Sequence, residues 1–213
     1  MTEQVKRTMD ALAHNRMIPH YVDTREDVLP LVRSLLSEGC TIGVGGSVTL
    51  QETGLMDLIR SDAYRFYDRY EPNLTSEQRD EVFRQAAFAD VFLCSSNAVT
   101  EQGELYNVDG HSNRIAALAF GPKRVIVVVG INKLVPDLPA AVRRVKEVAA
   151  PLNAKRLHCE TYCSRTGHCV HPEGSMNEGC ASPQRICRNA LVSAMQEDPQ
   201  RLHVILVGEP LGY

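Results

Sequence analysis

Tryptophan is absent from this 213-residue chain, and aromatic residues make up only 6 % of it. No basic run is interleaved with rings, so there is no stacking platform for bases. A formal net charge of −3 adds no electrostatic reason to expect nucleic acid. Long apolar runs are missing as well. The longest, Val125–Val129 and Val204–Val207, are strand-sized and far too short to span a bilayer. The N-terminal stretch MTEQVKRTMDALAHNRM is amphipathic and charged, without the apolar centre of a secretory signal. The expectation is a cytoplasmic chain with no membrane insertion. The total of seven cysteines is odd, which argues against a simple disulfide framework. Neither a C-x2-C zinc knuckle nor the ferredoxin C-x2-C-x2-C run is present.

What the chain does contain is an ordinary apolar fraction and a regular alternation of strand and helix patterns. Val5, Met9, Leu12 and Ala13 predict a helix over residues 2–17, followed by a strand at Ile18–Val22. Thr24 with Asp27 resembles a capping box before a helix bearing Val28, Leu31, Val32, Leu35 and Leu36, which Gly39 ends. Thr41–Val44 reads as a strand that turns through Gly45-Gly46-Ser47 into a helix reaching about Arg60. Strands are predicted at Tyr64–Tyr67 and Val91–Cys94. Between them lies a helix capped by Thr75, with Val82, Phe83, Ala86 and Ala87 on its buried face. A hairpin-like piece spans Val99–Asp109, and Ile115–Phe120 reads as helical. Arg124–Val129 is a continuous apolar strand of the kind found in the middle of a parallel sheet. Helices are predicted at Pro136–Ala149 and around Asn189–Gln196, with a last strand at His203–Val207. The pattern is that of an α/β fold, an open, largely parallel twisted sheet flanked by helices. One domain over residues 1–213 is expected, including a cysteine-rich segment at 159–187.

The turn Gly45-Gly46-Ser47-Val48-Thr49 follows a strand and opens a helix. Glycines let the backbone bend and a ligand approach, and the helix start offers free N–H groups. Ser47 and Thr49 add hydroxyls. The segment is neither a dinucleotide fingerprint nor a P-loop. Glu101, two residues before Gly103, sits past a second strand end, where a carboxylate serves as nucleophile or base. Its bland alternative is a surface glutamate, a role that suits Glu104 well. His111, Asn113 and Arg114 cluster at a helix start that Ser112 caps, a candidate clamp for a carboxylate or phosphate ligand. Lys133 lies at the same sheet edge. The alternative for these residues is turn chemistry and solvated side chains.

Cys159, Cys163, Cys169, Cys180 and Cys187 fall in one polar, Gly- and Pro-punctuated stretch. In a reducing compartment, thiols gathered this densely point to a metal. Soft sulfur ligands favour zinc or iron–sulfur, and the wide irregular spacing leans toward a cluster. His158, His168 and His171 lie near enough in sequence to replace a thiolate. Cys40 and Cys94, each beside strand residues, read as small core hydrophobes.

The turn Gly-Gly-Ser-Val-Thr, the segment Ser-Ser-Asn-Ala-Val-Thr-Glu-Gln-Gly, the strand Gly-Pro-Lys-Arg-Val-Ile-Val-Val-Val-Gly-Ile-Asn-Lys and the ending Cys-Ala-Ser-Pro-Gln-Arg-Ile-Cys together resemble the LUD domain family, associated with lactate utilisation. The resemblance covers nearly the whole chain. It implies a fold similar to ribose-5-phosphate isomerase, glucosamine-6-phosphate deaminase and coenzyme A transferases, with Glu101 at the position of the transferase nucleophile. It also implies a [4Fe–4S] cluster on Cys163, Cys169, Cys180 and Cys187, zinc being the alternative. The link between the second and third of these cysteines is expanded to Val170–Gly179, Gly179 replaces an acidic residue, and Cys159 is extra. Three functions follow as expectations. The first is a cluster-bearing enzyme or subunit of small hydroxy- or oxo-acid metabolism, acting in electron transfer with a redox partner protein or in substrate activation. The second is a metabolite-binding regulator with a structural metal. The third is a transferase or isomerase using Glu101. A homo-oligomer is compatible with each.

Overall fold

An apolar run with no polar face must be covered on both sides. In the computed structural model, which describes residues 1–213, the two longest such runs lie side by side within a parallel sheet. In chain order the elements are α1 (Glu3–His14), β1 (Ile18–Val22), α2 (Val28–Leu35), β2 (Thr41–Val44), α3 (Val48–Glu52), α4 (Leu55–Ile59), β3 (Arg65–Phe66), α5 (Ser76–Ala86), β4 (Val91–Cys94), β5 (Ala98–Thr100), β6 (Leu105–Asp109), α6 (Asn113–Ala119) and β7 (Arg124–Gly130). A 3₁₀ turn, Ile131–Lys133, leads to β8 (Leu134–Val135) and α7 (Leu138–Arg144). A π-helical stretch, Val145–Ala149, joins α7 to α8 (Ala150–Arg156), and α9 (Tyr162–Thr166), β9 (Asn189–Ser193) and β10 (Leu202–Val207) complete the chain.

Six strands run parallel in the order β1-β10-β7-β4-β2-β3. Alternate residues of the central strands feed two separate cores. Val125, Val127, Val129, Leu202, Val204 and Leu206 pack with Val5 and Leu12 of α1 and with Ala117 and Leu118 of α6. Ile126, Val128, Ile205 and Val207 pack on the other side with Val28 and Val32 of α2 and with Leu55 and Ile59 of α4. The expected α/β fold, a parallel sheet with helices on both faces, is therefore present. A second, four-stranded sheet in the order β8-β5-β6-β9 stands beside it. Its apolar face, Ala98, Tyr106 and Val108, packs on Ala141 and Val145 and receives Met176 and Cys187 from the cysteine-rich segment.

Five local expectations change. Residues 189–196 do not form a helix: Asn189–Ser193 is β9, an antiparallel partner of β6 with Tyr106 opposite Val192. A short apolar run carries no decisive period, and the open edge of β6 decides its conformation. The helix expected to reach Arg60 is two short helices, because Gly54 at φ +69° breaks the path between them. The helix expected over residues 136–149 continues through the π-helical stretch to Arg156. Ser112 makes no capping bond; Asp109 Oδ2 instead accepts the N–H groups of Arg114 at 3.1 Å and Ile115 at 3.0 Å. Thr24 does donate its hydroxyl to Asp27, at 2.8 Å, but Asp27 caps no amide of α2.

At the edge of the sheet His20 of β1 and His203 of β10 stack in near-parallel planes, with Nε2 and Nδ1 3.0 Å apart. Burial, then the neighbouring His20 and Arg124, lowers the His203 pKa from 6.5 to about 4. The folded chain thus holds fewer protons than the unfolded chain between these values. Stability contributed by a neutral His203 is present above pH 6.5 and is lost as pH falls toward 4. The melting temperature should drop across that window, and His203→Gln should flatten the drop in a series of melts from pH 7 to pH 4.5 (ordinary histidine range, about 6.5).

Candidate functional site

The carboxyl ends of β2, β4, β7 and β10 all face one side of the sheet, where ligands of open α/β folds bind. The segments leaving them build a cleft of about 310 Å³. Gly46, Ser47 and Thr49 follow β2; Ser95, Ser96 and Asn97 follow β4; Lys133 follows β7; Gly212 and Tyr213 follow β10. The cleft is strongly cationic. Arg69, Arg114, Lys133, Arg156, Arg185 and Arg188 line it against a single carboxylate, Asp109.

The structure brings most of the expected anion-site residues together. Gly46, Ser47, Thr49, His111, Asn113, Arg114 and Lys133 all line the cleft. Gly45 does not. Its role is steric, since a Cβ there would fall 2.8 Å from Arg114 Cδ. Helix α3 is only five residues long, and Ser47 Oγ already accepts the Leu50 N–H at 3.3 Å. The start of so short a helix is not by itself an anion site. Arg114 is not free to bind an anion. Its guanidinium donates to Asp109 Oδ1 at 2.7 and 3.0 Å, to the carbonyls of Ser95 and Val108, and to the side-chain oxygens of Asn97 and Asn107. It braces the cleft wall. His111 is exposed and holds Asp80 at 3.1 Å.

Glu101 lies outside the cleft. Its carboxylate accepts from Arg7 at 2.9 and 3.2 Å and from Gln4 at 3.0 Å, both on α1, and these bonds hold its pKa below the usual carboxylate range. Glu104 bonds locally to Thr100.

Lys133 has the most unusual setting. Its side chain is 3 % exposed, and Nζ donates to Thr49 Oγ1 and Ser95 Oγ, each at 2.9 Å. No carboxylate pairs with it. Burial, then the positive charges of Arg144 and Arg114, lowers its pKa from 10.5 to about 7.

Several residues of the cleft escaped the sequence reading. Arg69 is half-buried, donates to no protein acceptor, and lies over the rings of Phe83 at 4.4 Å and Tyr70 at 5.4 Å. Its position just beyond a parallel strand was the available signal, and the same holds for Ser95–Asn97. Arg156 and Arg185 enter only through folding of the C-terminal third. As the cleft guanidinium with no protein acceptor, Arg69 is placed to meet an anion. Arg69→Ala should weaken binding of a small carboxylate about tenfold or more, the loss of one charge-assisted hydrogen bond. Calorimetric titration with lactate or pyruvate checks it.

Cys163, Cys169, Cys180 and Cys187 line a second, smaller and apolar cavity together with Lys146, Tyr162, Val170 and Met176. Cys187 also lines the cationic cleft, so the two spaces share a wall. Burial pushes the Cys163 thiol up, and the charges of Cys180, Cys187 and Cys169 push the same way, against the Thr161 hydroxyl. Cys159 stands apart from this cavity, and the three histidines of the segment do not line it. No three His, Cys, Asp or Glu side chains stand close enough to share a single metal ion. Cys94 is fully buried in the core, its pKa raised to about 12 by burial, and Cys40 packs at the margin of the second core.

The family model of the LUD domain matches residues 5–207. The chain belongs to the LUD domain family. A solved structure, that of a DUF162 family protein from Deinococcus radiodurans, is similar to this LUD chain over 96 % of each chain, with a TM-score of 0.51 and 18 % sequence identity. At that identity the likeness concerns the fold. No curated protein matches. No helix of this LUD protein is long and apolar enough to cross a membrane.

Proposed function

We propose that this LUD protein works in lactate-type hydroxy- or oxo-acid metabolism, binding a small carboxylate in the cationic cleft beside a [4Fe–4S] cluster held by Cys163, Cys169, Cys180 and Cys187. One observation carries the reading: four cysteines spread from 163 to 187 line one cavity, and Cys187 is common to that cavity and the cleft. The donor set fits the group. Four soft sulfurs line one apolar space, and their wide, irregular spacing in sequence favours a cluster over a zinc knuckle.

Two further features support the fit. Lys146, 1 % exposed, lines the cavity and donates to the carbonyls of His171 at 2.6 Å and Glu178 at 2.9 Å. It ties the expanded loop near both of its ends to the cavity wall. The Tyr106 hydroxyl is buried without a hydrogen-bond partner, and its pKa is raised to about 12 by burial and then by the Cys187 charge. An unpaired buried hydroxyl is costly, and a sulfur acceptor nearby would relieve it. Arg185 Nε, 3.2 Å from Cys187 Sγ, offers a second donor to sulfur.

Bound there, a cluster would supply one-electron transfer to a redox partner or, with an iron left open, a Lewis acid facing the cleft. The chain itself orients the carboxylate with Arg69 and its neighbours. Glu101, outside the cleft and held by Arg7, lends no support to a transferase-type reaction. Iron and acid-labile sulfide analysis of protein purified without oxygen tests the proposal. Brown protein with about four of each per chain is expected; colourless protein containing zinc, or no metal, would sink it.

A further inference from the structure

Lys133 has chemistry that carboxylate binding alone does not use. The amine sits in the cleft, nearly sealed from solvent, and both of its hydrogen-bond partners are neutral hydroxyls. A lysine whose task was to pair with a carboxylate ligand would gain from keeping its proton. Here the surroundings oppose the proton: burial, with Arg144 and Arg114 nearby and no carboxylate in ion-pair reach, brings the neutral form into the physiological range. In that form its two N–H bonds account for the contacts to Thr49 and Ser95, and the remaining valence of nitrogen is a lone pair. A desolvated lysine of this kind is the usual nucleophile toward carbonyls.

We infer that Lys133 Nζ is the reactive amine of the cleft and forms an imine with the carbonyl carbon of a small 2-oxo acid. The inference rests on the cleft as a carboxylate site and is independent of the metal. The guanidinium of Arg69 holds the carboxylate end, which leaves the adjacent carbonyl for the amine. The lone pair of Nζ forms the new C–N bond as the carbonyl π pair moves to oxygen, and a proton passes from nitrogen to that oxygen. Ser95 Oγ and Thr49 Oγ1, both 2.9 Å from Nζ, are placed to relay it. The carbinolamine then loses its hydroxyl group, which leaves as water with one proton from solvent, and a protonated imine remains. One C=O bond is exchanged for one C=N bond, one water is released, and no oxidant or reductant is consumed.

Reductive trapping tests this on the full chain. The protein is incubated with pyruvate or glyoxylate and cyanoborohydride, then weighed intact and mapped by peptide. One reduced adduct per chain is expected, located on Lys133. It should be lost in Lys133→Arg, which keeps a cation but offers no comparable nucleophile. Acetone, a carbonyl without a carboxylate, should be trapped much less. An adduct spread over surface lysines such as Lys123 and Lys155, or none on Lys133, overturns the proposal. Equal trapping of acetone overturns the 2-oxo-acid specificity. Metal content is measured on the same preparation, so failure of the imine and failure of the cluster reading are told apart.

Discussion

Cys180→Ser is expected to strip the protein of its visible absorption and to lower bound iron at least about tenfold, because serine oxygen is a poor replacement for a soft thiolate on iron. Cys180 lines the small cavity with three other cysteines, so its loss removes one corner of the donor set. The far-ultraviolet circular dichroism should change little. The two main cores are built on the six-stranded sheet and contain none of these four cysteines. Cys159→Ser is the matched comparison. Cys159 lies in the same segment but outside the cavity, and its replacement should leave iron and colour intact. Equal iron in the wild type and Cys180→Ser would remove the ligand assignment. Equal loss in both variants would show that the segment, and not the cavity, determines metal binding.

Arg114→Ala should cost about 3–5 kcal/mol of folding stability, the range for removing one partner of a buried ion pair. Arg114 and Asp109 are each 10 % exposed at the side chain and 2.7 Å apart. Asp109 also caps α6, and the same guanidinium ties the turn after β4 to β6 through Asn97, Asn107 and two backbone carbonyls. Alanine would leave an uncompensated carboxylate and several buried acceptors without donors. Lysine restores a charge but not the planar fork, so Arg114→Lys should recover only part of the loss. Urea denaturation measures both. A change below about 1 kcal/mol for alanine, typical of an exposed ion pair, would return Arg114 to the role of a free ligand clamp.

The contrast between Arg114 and Arg69 shows how much of the site could be read from residues alone. Both are arginines at the carboxyl edge of the sheet. The spacing around Asp109-Gly110 made Arg114 the candidate, and the fold satisfied its guanidinium internally. Arg69 carried no motif, yet it is the one left without a protein acceptor. Local sequence specifies where a side chain leaves the backbone; it does not specify which acceptors the rest of the chain brings to meet it. Glu101 illustrates the same point. Its setting before Gly103 was legible, but α1, almost a hundred residues earlier, supplies Arg7 and Gln4 and takes the carboxylate. Lys133 is the reverse case: a lysine in a connecting loop reads as solvated, and closure of the turns after β2 and β4 seals it.

The sequence by itself determined the alternation of helix and strand, the central place of the two apolar runs and the glycine turn at the edge of the sheet. These depend on periodicity and backbone freedom, which are properties of neighbouring residues. It also determined that sulfur is concentrated near the C-terminus. Only the tertiary structure decided that four of those cysteines share a cavity, that Cys159 does not, and that residues 189–193 form a strand on the free edge of β6. It decided as well that the cavity adjoins a cationic cleft. Each of these is set by contacts between segments far apart in the chain, where packing and hydrogen-bond satisfaction outweigh local preference.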